Sequence, residues 1–265
     1  MKIAAMMATL NRPDYLLKTL GSLKDSGFFE QCNDFYVMDA GSDEDTLKIL
    51  SDWQKQYKFE VVKSNQIVKY HEQFPRMWKL GMEKGYDYIL FLESDIIVAK
   101  NFYQYILELM PMVDTGGIYG FYNVDHIHGK IQSNIPVLQL AGDRCFYGTC
   151  MVLFGINTIM PCYETAMTGY PYDIAIAATY GWVCSHGEPT HPNLRVGVAY
   201  PEAVVRDARL YTHFPSLCQH TGSNSLITGK NSERPEHLSD CFAGENFNCM
   251  ELIYDTRCHA QPKSS

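Results

Sequence analysis

Apolar and polar positions alternate between two periods along the first hundred residues. Met1 to Ala8 is an almost unbroken apolar run, Phe35 to Met38 a second, Phe59 to Lys63 a third, more mixed one, and Tyr88 to Leu92 a fourth. Short apolar runs bounded by polar residues read as strands buried on both faces. Between them the apolar positions fall at helical spacing over Tyr15–Leu23, Thr46–Tyr57 and Phe74–Lys84, the last stopped by Gly85. Strands alternating with helices predict βαβ units and a largely parallel sheet, an α/β fold.

The fourth run leads directly into Glu93-Ser94-Asp95. Acids do not belong inside a doubly buried strand, so this triplet is placed where the strand emerges at its carboxyl end. Side chains two residues apart leave an extended chain on the same side. Glu93 and Asp95 are therefore expected to converge on one point, where two hard oxygen donors suit a divalent cation and, through it, a diphosphate. Open α/β sheets bind ligands in the crevice outside the carboxyl ends of their strands. A polar turn that happens to hold two acids is the plainer alternative.

Three segments in order carry a resemblance. These are Thr9-Leu10-Asn11-Arg12-Pro13-Asp14-Tyr15-Leu16, Asp39-Ala40-Gly41-Ser42-Asp43 after the second strand, and Tyr88 through Asp95. Together they resemble the nucleotide-sugar-binding half of GT-A-fold glycosyltransferases, above all family 2. The resemblance implies a Rossmann-like, mostly parallel central sheet flanked by helices. It implies that Asp39 reads the nucleotide base, that Glu93, Ser94 and Asp95 serve ribose and a metal-bound diphosphate, and that Thr9, Asn11, Arg12 and Arg76 line the donor. The family's acidic motif usually begins with Asp, and here it begins with Glu93, which puts the role of Glu93 in question more than that of Asp95. Downstream, His213-Phe214-Pro215-Ser216-Leu217-Cys218-Gln219-His220-Thr221-Gly222 resembles a late segment of several GT-A enzymes, including branching N-acetylglucosaminyltransferases. That likeness implies His220 as a third metal ligand. By itself a loop histidine would make an ordinary hydrogen bond.

The middle of the chain is expected to build the acceptor side. Phe146 to Phe154 reads as a turn and a buried strand. In Tyr170-Pro171-Tyr172-Asp173-Ile174, Asp173 suits a helix N-cap, and the resemblance also makes it the general base of an inverting transfer; the two roles are compatible. Glu164 is the reserve base. Lys230 reads as a solvated lysine with a possible role beside leaving phosphate. His126 and His128 read as exposed residues, His186 and His191 flank a turn-rich loop suited to a lid, and Trp78 and Trp182 are core aromatics by default.

Composition narrows the classes. With 265 residues, 46% hydrophobic, the chain is long enough for one sizeable core, and nothing rich in Pro, Gly or Ser divides it. The expected organisation is a single domain over 1–255, with a nucleotide-sugar half over 1–100, an acceptor- and metal-closing half over 101–255, and a tail from 256. A net charge of −8 disfavours nucleic acid as a partner, though a local basic groove is compatible with it. No apolar run is long enough to span a bilayer, the first strand starts near Met1, and nine cysteines lack paired metal spacing. The expectation is a cytoplasmic protein of bacterial or viral type with reduced thiols.

The reading is a Mn²⁺- or Mg²⁺-dependent transferase moving a sugar from a nucleotide-diphosphate donor, UDP by family likeness, to a hydroxyl acceptor, glycan or other. The alternatives are transfer to a hydroxylated base in phage DNA, a nucleotidyltransferase, and a non-catalytic nucleotide-sugar or glycan-binding module. A nucleotidyltransferase would normally carry a Gly-rich loop after the first strand, and Thr9 to Pro13 holds no glycine.

Overall fold

The computed structural model describes residues 1–113, 115–123, 130–132, 137–141, 150–167, 209–222 and 238–253. The first half alternates as the periodicity requires: β1 (Ile3–Thr9), α1 (Pro13–Asp25), β2 (Phe35–Asp39), α3 (Glu44–Gln54), β3 (Glu60–Val62), α4 (Tyr70–Lys84) and β4 (Tyr88–Glu93), with a short turn of helix α2 (Phe28–Gln31) after α1. Then come β5 (Ile96–Val98), α5 (Phe102–Leu109), β6 (Gly117–Gly120), β7 (Lys130–Gln132), β8 (Leu138–Ala141), β9 (Met151–Gly155), α6 (Ile156–Ala166), β10 (Arg209–His213) and β11 (Cys218–His220).

Among the described residues, nine strands form one sheet in the order β3-β2-β1-β4-β9-β6-β10-β8-β7. Strands β3, β2, β1 and β4 are mutually parallel, and only β8 and β9 run against the common direction. The fold is a GT-A-like α/β layer structure. Along β1 the pleat sends Ala5 and Met7 into one core, with Leu16, Leu20 and Leu23 of α1, Leu50 of α3 and Phe102 of α5. Ala4 and Met6 enter the other, with Phe74, Met77 and Trp78 of α4 and Ile159 of α6. Both faces are covered, which is why these strands read as continuous rather than alternating runs. Trp78 is fully enclosed, packing edge-on against Phe74 and Phe154, so it is a core aromatic.

A second, two-stranded sheet fixes the acidic turn. Antiparallel β5 and β11 pair Ile96 with His220 and Val98 with Cys218. The other side of β5 is closed by α1 rather than by a strand. Thr19 Oγ1 donates to the Ile96 carbonyl at 2.9 Å and accepts from its N–H at 3.0 Å, while Ser22 Oγ accepts from Val98 N–H at 2.8 Å. Two buried hydroxyls three positions apart on the inner face of α1 thus satisfy backbone groups that would otherwise be stranded in the core.

Candidate functional site

The site lies where β1, β2 and β4 end together. In register, Thr9 sits beside Asp39 and Ala8 beside Glu93. Beyond β4 the chain turns through Ser94 and Asp95 and departs as β5, so Glu93 and Asp95 flank the bend. The partner strand β11 ends at the same point. Thr221 clamps the turn, its N–H and its hydroxyl each donating to the Asp95 carbonyl at 2.8 Å.

His220, 125 positions after Asp95, thereby reaches both acids. Its Nε2 lies 3.2 Å from Asp95 Oδ2 and 3.8 Å from Glu93 Oε2. Arg12 Nη1 meets the same Asp95 oxygen at 2.6 Å, and its guanidinium lies 4.3 Å from the centre of the Tyr15 ring. Arg12 adopts φ 133° in the loop between β1 and α1, after Asn11 at φ 40°. Both are conformations that a side-chain-bearing residue holds only when its surroundings fix it. Here the fixing contacts are Asn11 N–H to Ser42 Oγ at 3.1 Å and Asp43 N–H to Asn11 Oδ1 at 2.7 Å. Gly222 completes the enclosure, because a Cβ there would lie 2.2 Å from Asp95 Oδ2 and 2.6 Å from Arg12 Nη2. No side chain fits at that position without separating the ion pair.

The electrostatics divide the two acids. Burial pushes the Glu93 carboxyl up, and the charge of Asp95 pushes it further, to about 7. Burial also opposes ionisation of Asp95, but the hydrogen bond and charge of His220, together with Arg12, outweigh it and hold that carboxyl at about 2. For His220, burial works against the charged form, and the Asp95 carboxylate more than offsets it, raising the imidazole. Asp95 is therefore a fixed anion while Glu93 is held near the point of exchanging its proton.

This has a consequence for stability. The Glu93 value lies above the ordinary 4.5, so its protonated form is favoured in the folded state. That contribution is complete below about 4.5 and is lost as pH rises through about 7, and His220 acts in the same direction over this window. Each unit is about 1.4 kcal/mol, so the whole effect is a few kcal/mol at most. Thermal melts of the protein in chelator are expected to fall between pH values of about 5 and 7.5, and Glu93→Gln is expected to flatten that slope. An unchanged slope in the variant would remove Glu93 as its source.

Asp39 is enclosed and accepts the N–H groups of Gly41 at 3.1 Å and Ser42 at 3.1 Å. The carboxylate thus organises its own loop, whose Gly41 has φ +90° and would place a Cβ 2.6 Å from the Gln66 carbonyl. Arg76 donates to Gln73 Oε1 at 2.6 Å, and Gln73 in turn donates to the Met38 carbonyl at 2.9 Å, which holds the guanidinium within the field of Asp39. The Thr9 hydroxyl is buried and, among the described residues, has no hydrogen-bond partner. Ser94 is buried in the turn. Although it lies past the end of the strand, Asp95 is only 3% exposed. It is the buried partner of the Arg12 guanidinium and the His220 imidazole.

Glu164 falls within α6. Asp173, Trp182, His126, His128, His186, His191 and Lys230 lie outside the described residues. Sequence reasoning missed Cys150, whose carbonyl accepts the Glu93 N–H at 2.9 Å and whose thiol hydrogen-bonds the Glu93 carboxyl. No local signal marks it, since its proximity depends on the antiparallel pairing of β4 with β9. In the Pro215-Ser216-Leu217 segment, Ser216 Oγ takes a structural part, donating within reach of the Phe121 and Cys218 carbonyls at 3.2 and 2.7 Å and so tying the end of β6 to β11.

A nine-stranded α/β sheet with paired acids at the exit of β4 and a histidine returned to them defines a GT-A-type architecture. The sequence profile of glycosyl transferase family 2 matches residues 5–160, more than half of the chain, and the protein belongs to that family. No curated protein matches the sequence. Among solved structures, Staphylococcus aureus TarS 1-349 is similar at a TM-score of 0.50 and 12% identity, over 80% of this chain and 60% of that one. Mannosyltransferase PcManGT from Pyrobaculum calidifontis, in complex with GDP-Man and Mn²⁺, is similar at 0.49 and 9% identity, over 79% of this chain and 56% of that one. The chain thus spans less than two thirds of the length of these two proteins, and at 12% identity the likeness to TarS is one of fold. No helix among the described residues is long and apolar enough to cross a membrane.

Proposed function

We propose that this chain is a divalent-metal-dependent glycosyltransferase that moves a sugar from a nucleotide-diphosphate donor to a hydroxyl acceptor with inversion, in one domain spanning 1–255. The observation that carries the reading is the meeting of Glu93, Asp95 and His220 outside the carboxyl end of β4. Two carboxylates and an imidazole, largely withdrawn from water, fit a cation such as Mn²⁺ or Mg²⁺, and would do so better than they tolerate one another. Asp95 and His220 are the direct ligands in this reading, and Glu93 faces the cation or the donor's ribose. The cation would supply charge neutralisation for the departing diphosphate.

The remaining roles extend the same reading. Arg12, already paired with Asp95, would hold phosphate oxygens by a planar fork of donors. The Asp39 carboxylate has lone pairs beyond those taken by Gly41 and Ser42, and would accept from a ring N–H of the base, uracil in a UDP-sugar. Thr9 offers a hydroxyl without a hydrogen-bond partner among the described residues, and Asn11, Arg76 and Ser94 would line the donor. Asp173 would accept the acceptor's proton.

A donor-hydrolysis screen across nucleotide sugars tests the reading without requiring the acceptor. With Mn²⁺ one donor class should release its nucleoside diphosphate, and excess chelator should stop the release. No release from any donor, with Mn²⁺ or Mg²⁺, combined with no nucleotide-sugar binding by calorimetry, would contradict it.

A further inference from the structure

One donor in this centre has no part in the function proposed above. Cys150 immediately precedes β9, buried, and its position is fixed by the β4–β9 ladder, in which Leu92 pairs with Met151. The Cys150 sulfur, a Glu93 carboxylate oxygen and a His220 ring nitrogen all lie within 4.8 Å of one another. Tetrahedral zinc with sulfur and nitrogen ligands at about 2.3 and 2.0–2.1 Å separates its ligands by about 3.5 Å, so short side-chain adjustments close this triangle around an ion. Asp95, by contrast, is already engaged by Arg12 through the same oxygen that faces His220. The centre thus offers two overlapping donor sets, an oxygen–oxygen–nitrogen set through Asp95 and an oxygen–sulfur–nitrogen set through Cys150.

We propose that Glu93, Cys150 and His220 form a binding site for a thiophilic divalent cation, Zn²⁺ above all, which excludes the hard cation from the same centre. The proposal rests on the reading of Glu93 and His220 as cation ligands and adds the thiol to them. Three protein ligands with a fourth position open is a common zinc arrangement, and softness of sulfur together with the general affinity order favours Zn²⁺ over Mn²⁺. Binding is an acid–base exchange without oxidation. The Cys150 S–H bond breaks, its proton passes to solvent, and the sulfur lone pair forms the bond to the metal. Because Glu93 and His220 belong to both sets, a bound Zn²⁺ and a bound Mn²⁺ are mutually exclusive, and Zn²⁺ acts as an inhibitor competitive with Mn²⁺.

The test uses the full chain and adds Co²⁺ and Cd²⁺ as spectroscopic stand-ins for Zn²⁺. The native protein should show a thiolate-to-metal charge-transfer band that saturates at one ion per chain and is displaced by Zn²⁺. Cys150→Ser should lose the band and about 100-fold or more in Zn²⁺ affinity, the upper end of what loss of a supporting partner costs, while Mn²⁺ affinity stays within about threefold. Absence of the band in the native protein overturns the thiol site, whether or not the variant folds. Persistence of the band in Cys150→Ser overturns it as well, by assigning the thiolate to another cysteine. If Mn²⁺ binds and the band is absent, only this site fails; if neither Mn²⁺ nor Co²⁺ binds, the metal reading of the whole centre fails with it.

Discussion

Asp95→Asn is expected to lower metal-dependent transfer by roughly 10³-fold or more, because the charge stabilisation a positioned cation supplies is worth several kcal/mol and each 1.4 kcal/mol is about a factor of ten. Asparagine keeps the volume and the acceptor oxygen in the turn, but it cannot serve as the fixed anion. Asp95→Ala should lose activity equally and fold less well. Arg12 at 2.6 Å and His220 at 3.2 Å would then face an empty space, and stripping one partner from a buried pair costs about 3–5 kcal/mol. Comparing the two variants separates function from stability. A cooperative melt in Asp95→Asn together with lost Mn²⁺ binding by calorimetry is the expected pair of results. Native-like Mn²⁺-dependent turnover in that variant would remove Asp95 from the metal centre.

The second large effect belongs to Asp173. Replacement of this proposed base by Asn, which keeps the side chain's size but cannot take up the acceptor's proton, should leave the donor dissociation constant within about twofold while lowering transfer by roughly 10²–10⁴, the usual worth of a positioned general base. Near-normal transfer by Asp173→Asn would discard the base. A product retaining the donor's anomeric configuration would discard inversion itself.

The first hundred residues were legible because their signals are local. Doubly buried strands announce themselves as apolar runs, and the amphipathic spacing of α1, α3 and α4 needs no tertiary information. α4 begins at Tyr70 rather than at Phe74, since polar residues occupy its first turn and the apolar stripe starts only afterwards. α2, β5 and β7 were too short to show a period. The acids at Glu93 and Asp95 were visible because they interrupt an apolar run. His220 was visible only through its motif, and the reason it arrives at Asp95 was not. That depends on β5 pairing with β11 while Thr19 and Ser22 close the opposite edge, a long-range arrangement with no trace in local patterning.

Asp39 and Cys150 show the two ways in which a sequence reading falls short at such a centre. Asp39 was identified, but as a group aimed at a ligand, whereas in the fold it first holds the Gly41 and Ser42 amides of its own loop. A short acid after a strand performs both tasks with the same oxygens, and spacing cannot rank them. Cys150 was not identified as part of the centre, because an isolated cysteine before a strand looks like any small apolar residue. Its place beside Glu93 follows from the reversed direction of β9, which the alternation of the first half gives no reason to expect.

Asp95 and His220 are proposed to hold the cation that would bind the donor diphosphate. Anomalous diffraction from crystals grown with Mn²⁺ and UDP tests it directly. The account predicts one strong manganese peak within ligand distance of Asp95 and His220, about 2.0–2.3 Å, bridging to the diphosphate. Bound nucleotide with no peak at that position, or with the manganese held by other side chains, would contradict it.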